Sequence, residues 1–167
     1  MAIHRPSIFG EYLPDSSGEA YIEPYTVKAT NGNWAIPVKI FNDSATKEGF
    51  HGFFNVPQNY VGCTNLIVAW TAQALVGNWK IDFEYRAVGG NDFESLDQAT
   101  PQESVTAFDT APSAVNNLME ISIPLTDGNF LPGDKVEYIL SRDGTDIGTT
   151  LAGAITLIDA QFEYADE

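Results

Sequence analysis

The stretch NWKIDFEYRAV, residues 78–88, alternates apolar and charged side chains without a break. Successive side chains of an extended strand point to opposite faces, so Trp79, Ile81, Phe83 and Tyr85 share one face. Lys80, Asp82, Glu84 and Arg86 share the other, which predicts a strand with one face in a core and one in water. No run of ten or more residues carries the i, i+3, i+4 apolar pattern of an amphipathic helix. Short apolar segments separated by Gly, Pro, Asn and Asp recur instead from Trp34 onward. Such a chain has to bury its apolar faces sheet against sheet.

The remaining segments fit that plan. AIPVKIFN, residues 35–42, reads as a strand that Pro37 restricts to an edge or a bulge. HGFFNVP, ending at Pro57, is another, and NLIVAWTAQA is apolar on both sides, as a covered central strand would be. The polar stretch between Gly89 and Asn117 is long enough to hide a strand at Glu103–Asp109. Met119, Ile121, Ile123 and Leu125 then share a face, as do Val136, Tyr138 and Leu140. In the last segment Ile155 and Leu157 are out of phase with Ile158, Ala160, Phe162 and Tyr164, which predicts a bulge or twist near Ile158. About eight strands with almost no helix give an all-β, antiparallel β-sandwich of the jelly-roll kind. With 167 residues the chain fits one domain, which on folding buries roughly 70% of the surface of its unfolded state.

Residues 1–33 differ. They show no clear period and contain Pro6, Pro14, Pro24 and the turn-like Asp15–Gly18, yet Ile3, Ile8, Phe9, Tyr12, Leu13, Tyr21, Ile22 and Tyr25 are too apolar for a free tail. The expected organisation is an extended N-terminal arm at 1–33, lying on this domain or on a neighbouring subunit, and a sandwich at 34–167. The competing reading makes residues 20–30 the sandwich's first strand.

Candidate sites are few. Asp143-Gly144-Thr145-Asp146 has two carboxylates where a calcium loop needs more oxygen ligands, and Asp-Gly between alternating segments is a strong hairpin-turn signal. Asp82 and Glu84 lie about 7 Å apart along a strand, a spacing compatible with glycosidase carboxylates, but Lys80 and Arg86 flank them as on an ordinary solvated face. The single cysteine, Cys63, excludes an internal disulfide and reads as a small buried side chain. His4 and His51 are too few for a histidine metal cluster, and no nucleophile elbow or phosphate loop occurs. The expectation is no catalytic, metal or cofactor site. Trp70 and Trp79 fall on inward phases, which leaves Trp34 as the candidate ligand-contact residue.

Eight basic against 23 acidic residues give a net charge of −15, which opposes binding to nucleic acid. The charge is uneven, net −1 over residues 1–81 and −14 over 82–167. No apolar run approaches the roughly 18–20 residues of a membrane helix, and the N-terminus lacks an apolar signal region, so a soluble chain made inside a cell is expected.

Five segments carry a resemblance: MAIHRPSIFGEYLPDSSGEAYIEPYTVKATNGNW, FNVPQNYVG, DFEYRAVGGNDFESLDQ, DTAPSAVNNLMEISIPLTDGNF and VEYILSRDGTDIGTTLAGAITLIDAQFEYAD. Together they cover most of the chain and resemble small virion proteins of tailed bacteriophages. The resemblance implies a capsid cement or decoration subunit on the virion surface, made in the host cytoplasm, assembled as a homotrimer and bound to the major capsid protein. Ile3, Ile8, Phe9, Tyr12, Leu13, Tyr21 and Tyr25 would then be the docking arm. The alternative is a tail-fibre or receptor-binding domain that recognises a host surface glycan through Trp34 or the 89–117 loop. An enzyme is not expected.

Overall fold

The computed structural model describes residues 1–9, 38–89 and 94–167 in full, together with the backbone of 13–14, 21–25 and 36–37. In chain order the strands are β1 (Ile3–His4), β2 (Leu13–Pro14), β3 (Tyr21–Tyr25), β4 (Ile36–Phe41), β5 (Glu48–Asn55) and β6 (Tyr60–Ala72). They continue with β7 (Asn78–Val88), β8 (Glu103–Thr110), β9 (Met119–Pro124), β10 (Lys135–Arg142) and β11 (Ile155–Asp166). One sheet has the order β3-β4-β11-β6-β9, with β1 also pairing to β11, and the other has the order β2-β5-β10-β7-β8. All the pairings are antiparallel. The fold is therefore the expected all-β sandwich of jelly-roll type, and β8 is the strand hidden in the long polar stretch.

The core lies between the sheets and is rich in rings. Trp70 and Trp79 are fully buried and meet at 5.1 Å between ring centroids. Tyr85 stacks on Phe130 at 4.9 Å, Phe130 meets Phe162 at 5.2 Å, and Phe162 meets Phe54 at 4.7 Å, so a line of aromatics crosses from sheet to sheet. The predicted phase change in β11 is a bulge. Leu157 pairs with Trp70 and Asp159 with Ala69, so Ile158 is an extra residue. That one insertion lets Ile155 and Leu157 before it, and Ala160, Phe162 and Tyr164 after it, all reach the core.

Three expectations need correction. Asp143–Asp146 is a turn but not a hairpin turn, because β10 and β11 belong to different sheets and residues 143–154 cross between them. Asp143 accepts hydrogen bonds from the Thr145 amide (2.9 Å) and hydroxyl (2.8 Å), and Asp146 accepts from the Gly148 amide (2.8 Å) and from Lys80 (2.9 Å). These bonds hold both carboxyls below their ordinary pKa. Cys63 is exposed rather than buried. Two β6 residues oppose one of β11 there, and Cys63 sits in the left-handed region (φ 58°), with the neighbouring Thr64 amide donating to Asp127 (2.7 Å). Finally, Pro37 is on neither an edge strand nor a bulge. β4 runs between β3 and β11, and Pro37 lies beyond the Lys39–Phe41 segment that β11 pairs, opposite Pro24 of β3.

The first nine residues lie on this domain. Ile3 and His4 pair with Ala165 and Tyr164, the Ile8 amide donates to Ala160 O (2.7 Å), and Ile8 is buried in the core. Residues 21–25 form a strand of the sandwich. Beside this segment Lys39 is 2% exposed; its Nζ donates to Phe9 O (3.3 Å) and stands 3.4 Å from the Phe9 ring centroid. Burial lowers its pKa from 10.5 to about 8, against a raising influence from Asp159. The unfolded chain then holds a proton between pH 8 and 10.5 that the native chain lacks, so stability rises with pH across that window. Burial also raises the Tyr85 and Tyr138 hydroxyls, which the unfolded chain ionises from about pH 10, so stability falls beyond that point. Urea midpoints measured from pH 7.5 to 11 are expected to peak near pH 10, and the rise from pH 8 is expected to vanish in Lys39→Met. A wild-type midpoint that falls steadily from pH 8 would contradict this account.

Candidate functional site

The strand register places an ordered set of side chains on the outer face of the five-stranded sheet. Phe53 of β5, Glu137 of β10 and Arg86 of β7 are cross-strand partners in one row, and His51, Ile139 and Glu84 make the next. Neighbouring strands lie about 4.8 Å apart and residues of the same face about 7 Å apart along a strand. The two rows therefore cover an area of about 10 Å by 7 Å. Residues 98–101 form a further wall, and together with His51, Glu84, Arg86, Glu137 and Ile139 they enclose an open cleft of about 260 Å³.

Short-range bonds fix this wall. The Gln102 amide donates to Tyr85 O (2.9 Å), and the Ala87 amide donates to Gln102 Oε1 (3.0 Å), which extends the β7–β8 ladder past its end. Next to it, Glu103 accepts from the Tyr85 hydroxyl, from the Thr126 amide (3.1 Å) and hydroxyl (2.8 Å), and from Asn129 (3.3 Å). Burial alone would raise the Glu103 pKa, but these donors outweigh it and hold it low. The loop is thus anchored on both sides of its junction with β8.

The charges on this face are neither evenly paired nor evenly wet, which corrects the expectation of an ordinary solvated face. Asp82 is buried; it accepts from the Thr106 hydroxyl (2.7 Å) and meets Lys47 (3.4 Å) and Lys80 (3.5 Å). Lys47 also reaches Glu84 (3.6 Å). The two carboxylates once weighed as a glycosidase pair are therefore both tied to lysines. Arg86 is 7% exposed although its phase points outward, and its Nη1 has no acceptor among the described residues. Phe53, the cross-strand partner of the lining residue Glu137 but not itself part of the lining, is 70% exposed.

Of the residues singled out from sequence, Tyr12 and Trp34 lie outside the described residues, as do the side chains of Leu13, Tyr21 and Tyr25. Ile8 is core, Phe9 packs edge-on to Phe50 (6.0 Å), and Ile3 is exposed beside β11. None of the described arm residues lines the cleft. Sequence reasoning missed Phe53 and Arg86. Phe53 was findable: Phe53 and Phe54 are adjacent in one strand, so they cannot both face the core. Arg86 was not, because only the tertiary placement of residues 98–101 encloses it.

No protein-family model matches the chain, and no curated protein matches it by sequence. Solved structures do. A family 35 carbohydrate-binding module from Clostridium thermocellum aligns over 99% of both chains with a TM-score of 0.52 at 14% identity. A CBM35 from Paenibacillus barcinonensis covers 97% of this chain and 98% of its own, with a TM-score of 0.51 at 12% identity. The K1 cleaved adhesin domain of Lys-gingipain from Porphyromonas gingivalis covers 99% of both, with a TM-score of 0.50 at 8% identity. At these identities the likeness establishes the fold. It also overturns the resemblance to capsid cement proteins and the function drawn from it, because the structural neighbours are carbohydrate-binding modules and an adhesin sandwich. The segments behind that resemblance are strands and turns, which sandwiches of many functions share.

Proposed function

We propose that this chain is a carbohydrate-binding module, a sandwich that holds a glycan in the outer-face cleft and acts by binding alone. The observation that carries the reading is the cleft itself, with donor, acceptors and an exposed ring in register on adjacent strands. Sugars present hydroxyls that both donate and accept, and C–H faces that pack on aromatic rings. Arg86 supplies donors, Glu84 and Glu137 supply acceptors, and Phe53, the cross-strand partner of Glu137, supplies a ring. At about 260 Å³ the cleft is slightly smaller than the roughly 300–1,000 Å³ of drug-sized sites, which suits one sugar ring inside and further rings along the face. Two neighbours of the same fold are named as carbohydrate-binding modules, which supports the reading.

The test is a glycan array followed by calorimetry on the best ligand. Phe53→Ala is expected to weaken binding about 10- to 30-fold, as loss of an aromatic anchor does. Ile147→Ala, at a fully exposed position away from the cleft, is expected to leave it unchanged. Full affinity in a Phe53→Ala/Glu137→Ala double variant would move the site off this face.

A further inference from the structure

Each sheet ends on two strands, β3 and β9 in one and β2 and β8 in the other. An open edge offers unpaired amides and carbonyls to another strand, and prolines or charged side chains on it discourage that pairing. β2, β3 and β9 contain Pro14, Pro24 and Pro124. β8 contains no proline and runs for 8 residues. Its exposed side chains, Ser104, Thr106, Phe108 and Thr110, are all uncharged in a chain that carries −15. Its two acids have the opposite phase and are engaged by their own chain, Glu103 by Tyr85, Thr126 and Asn129, and Asp109 by Trp70 Nε1 (2.8 Å).

The backbone of this edge is symmetric. The Ala111 amide donates to Gly77 O (2.9 Å), so by alternation the odd-numbered residues of β8 bond β7 and the even-numbered ones point away from it. At one end the Gln102 amide turns to Tyr85 O, and at the other the outward amide of Thr110 is taken by Asp109 Oδ1 (2.8 Å). Ser104, Thr106 and Phe108 remain, with outward donors and acceptors that no described residue takes. This set is centred on Thr106 and reads the same from either end.

We propose that β8 is a dimer interface, at which two copies of this chain pair antiparallel about a two-fold axis through Thr106. Thr106 then faces Thr106 of the second copy and Ser104 faces its Phe108, and each facing pair exchanges two hydrogen bonds. This register uses every free group and no occupied one. It also sets the half-buried Val105 opposite Ala107 of the second copy, which extends the apolar layer. A cationic partner would find no carboxylate among the outward side chains, whereas a second copy brings a neutral strand that matches. The axis is perpendicular to the sheet, so both outer clefts would open to the same side. Edge pairing over 8 residues buries less than the roughly 800 Å² per partner of a standard interface, so the dimer is weak. The charge on each copy opposes it, and Glu103 lies across from Asp109 of the second copy, so salt strengthens it.

Sedimentation equilibrium of the intact chain, from about 5 to 500 µM, tests this. The average mass is expected to rise from 18.2 kDa towards twice that value, with a dissociation constant of about 10–100 µM at high salt and about 10-fold weaker at low salt. Ser104→Pro removes an outward donor and no bond to β7, and is expected to weaken the dimer at least about 10-fold. In a Cys63→Ser background, Thr106→Cys is expected to give a disulfide-linked dimer under added oxidant, because facing residues stand about 5.5 Å apart at Cα. Thr110→Cys, which would face Gln102, is expected to give none. The mass measurement needs no variant, so a variant that fails to fold leaves it intact. A chain that stays monomeric at both salt concentrations overturns the proposal. So does a dimer that is indifferent to Ser104→Pro and forms no link at position 106, and so does a mass that climbs past the dimer, which would mean an open contact.

Discussion

Replacing Arg142 with methionine is expected to lower the unfolding free energy by about 3–5 kcal/mol. Arg142 ends β10, where the chain leaves one sheet for the other, and its side chain is fully buried. Nη1 donates to Phe41 O (3.1 Å) and Gly153 O (2.8 Å), and Nη2 donates to Leu151 O (2.9 Å) and lies 3.6 Å from Asp43. One guanidinium thus ties the end of β4 to the crossover before β11. Burial lowers its pKa, with Asp43 and Glu48 acting in the opposite direction. Methionine fills much of the volume but leaves three carbonyls without their donor, each costing about 1–3 kcal/mol if water cannot reach it. Lysine keeps the charge but cannot spread donors in a plane, so Arg142→Lys is expected to lose about half as much. Urea denaturation of the three proteins gives the comparison. A loss below about 1 kcal/mol for Arg142→Met would show that water or the crossover backbone replaces these bonds.

How legible this molecule was depended on the range of the interaction involved. Alternation within one strand is local, so the inward faces of β7, β9 and β10 and the bulge at Ile158 could be read directly. The same rule, applied to the adjacent Phe53 and Phe54, would have found an exposed ring. Asp143–Asp146 shows where locality ends. The turn is encoded in the Asp-Gly pair, but whether the next strand returns to the same sheet depends on which sheet has room for it. Cys63 shows the same limit: its exposure follows from a two-against-one mismatch with β11, a strand about a hundred residues later. Arg86 is a further case, since an outward charge on an alternating strand is ordinary until the connection that follows the strand folds back over it. The capsid resemblance failed for a related reason. Turn and strand signatures report the sandwich, and the sandwich does not fix the function.

Gly52→Ala is expected to cost about 3 kcal/mol and to weaken glycan binding, although Gly52 is not part of the cleft lining. Gly52 lies on β5 between the cleft residue His51 and Phe53, and its Cα partner is Tyr138. A methyl group there would run into the Tyr138 hydroxyl and ring, with Cε1 2.7 Å away. The ring has no free direction to swing. It packs against Phe50, Phe54 and Phe83, and its hydroxyl donates to Ile8 O (2.7 Å). A glycine in a strand interior is usually a liability, and here close approach of a ring explains it. Overpacking of a tight core costs about 1–3 kcal/mol, occasionally more, and this contact belongs at the upper end. To relieve it β5 must move outward, which carries His51 and Phe53 away from Glu137 and Arg86. A double-mutant cycle separates this from a general loss of stability. Tyr138→Ala alone is expected to cost about 3–5 kcal/mol, but Gly52→Ala added to it should cost almost nothing, a coupling of at least about 2 kcal/mol. Additive costs would mean that the methyl group is accommodated elsewhere, and that the ring beneath β5 does not set the shape of the cleft.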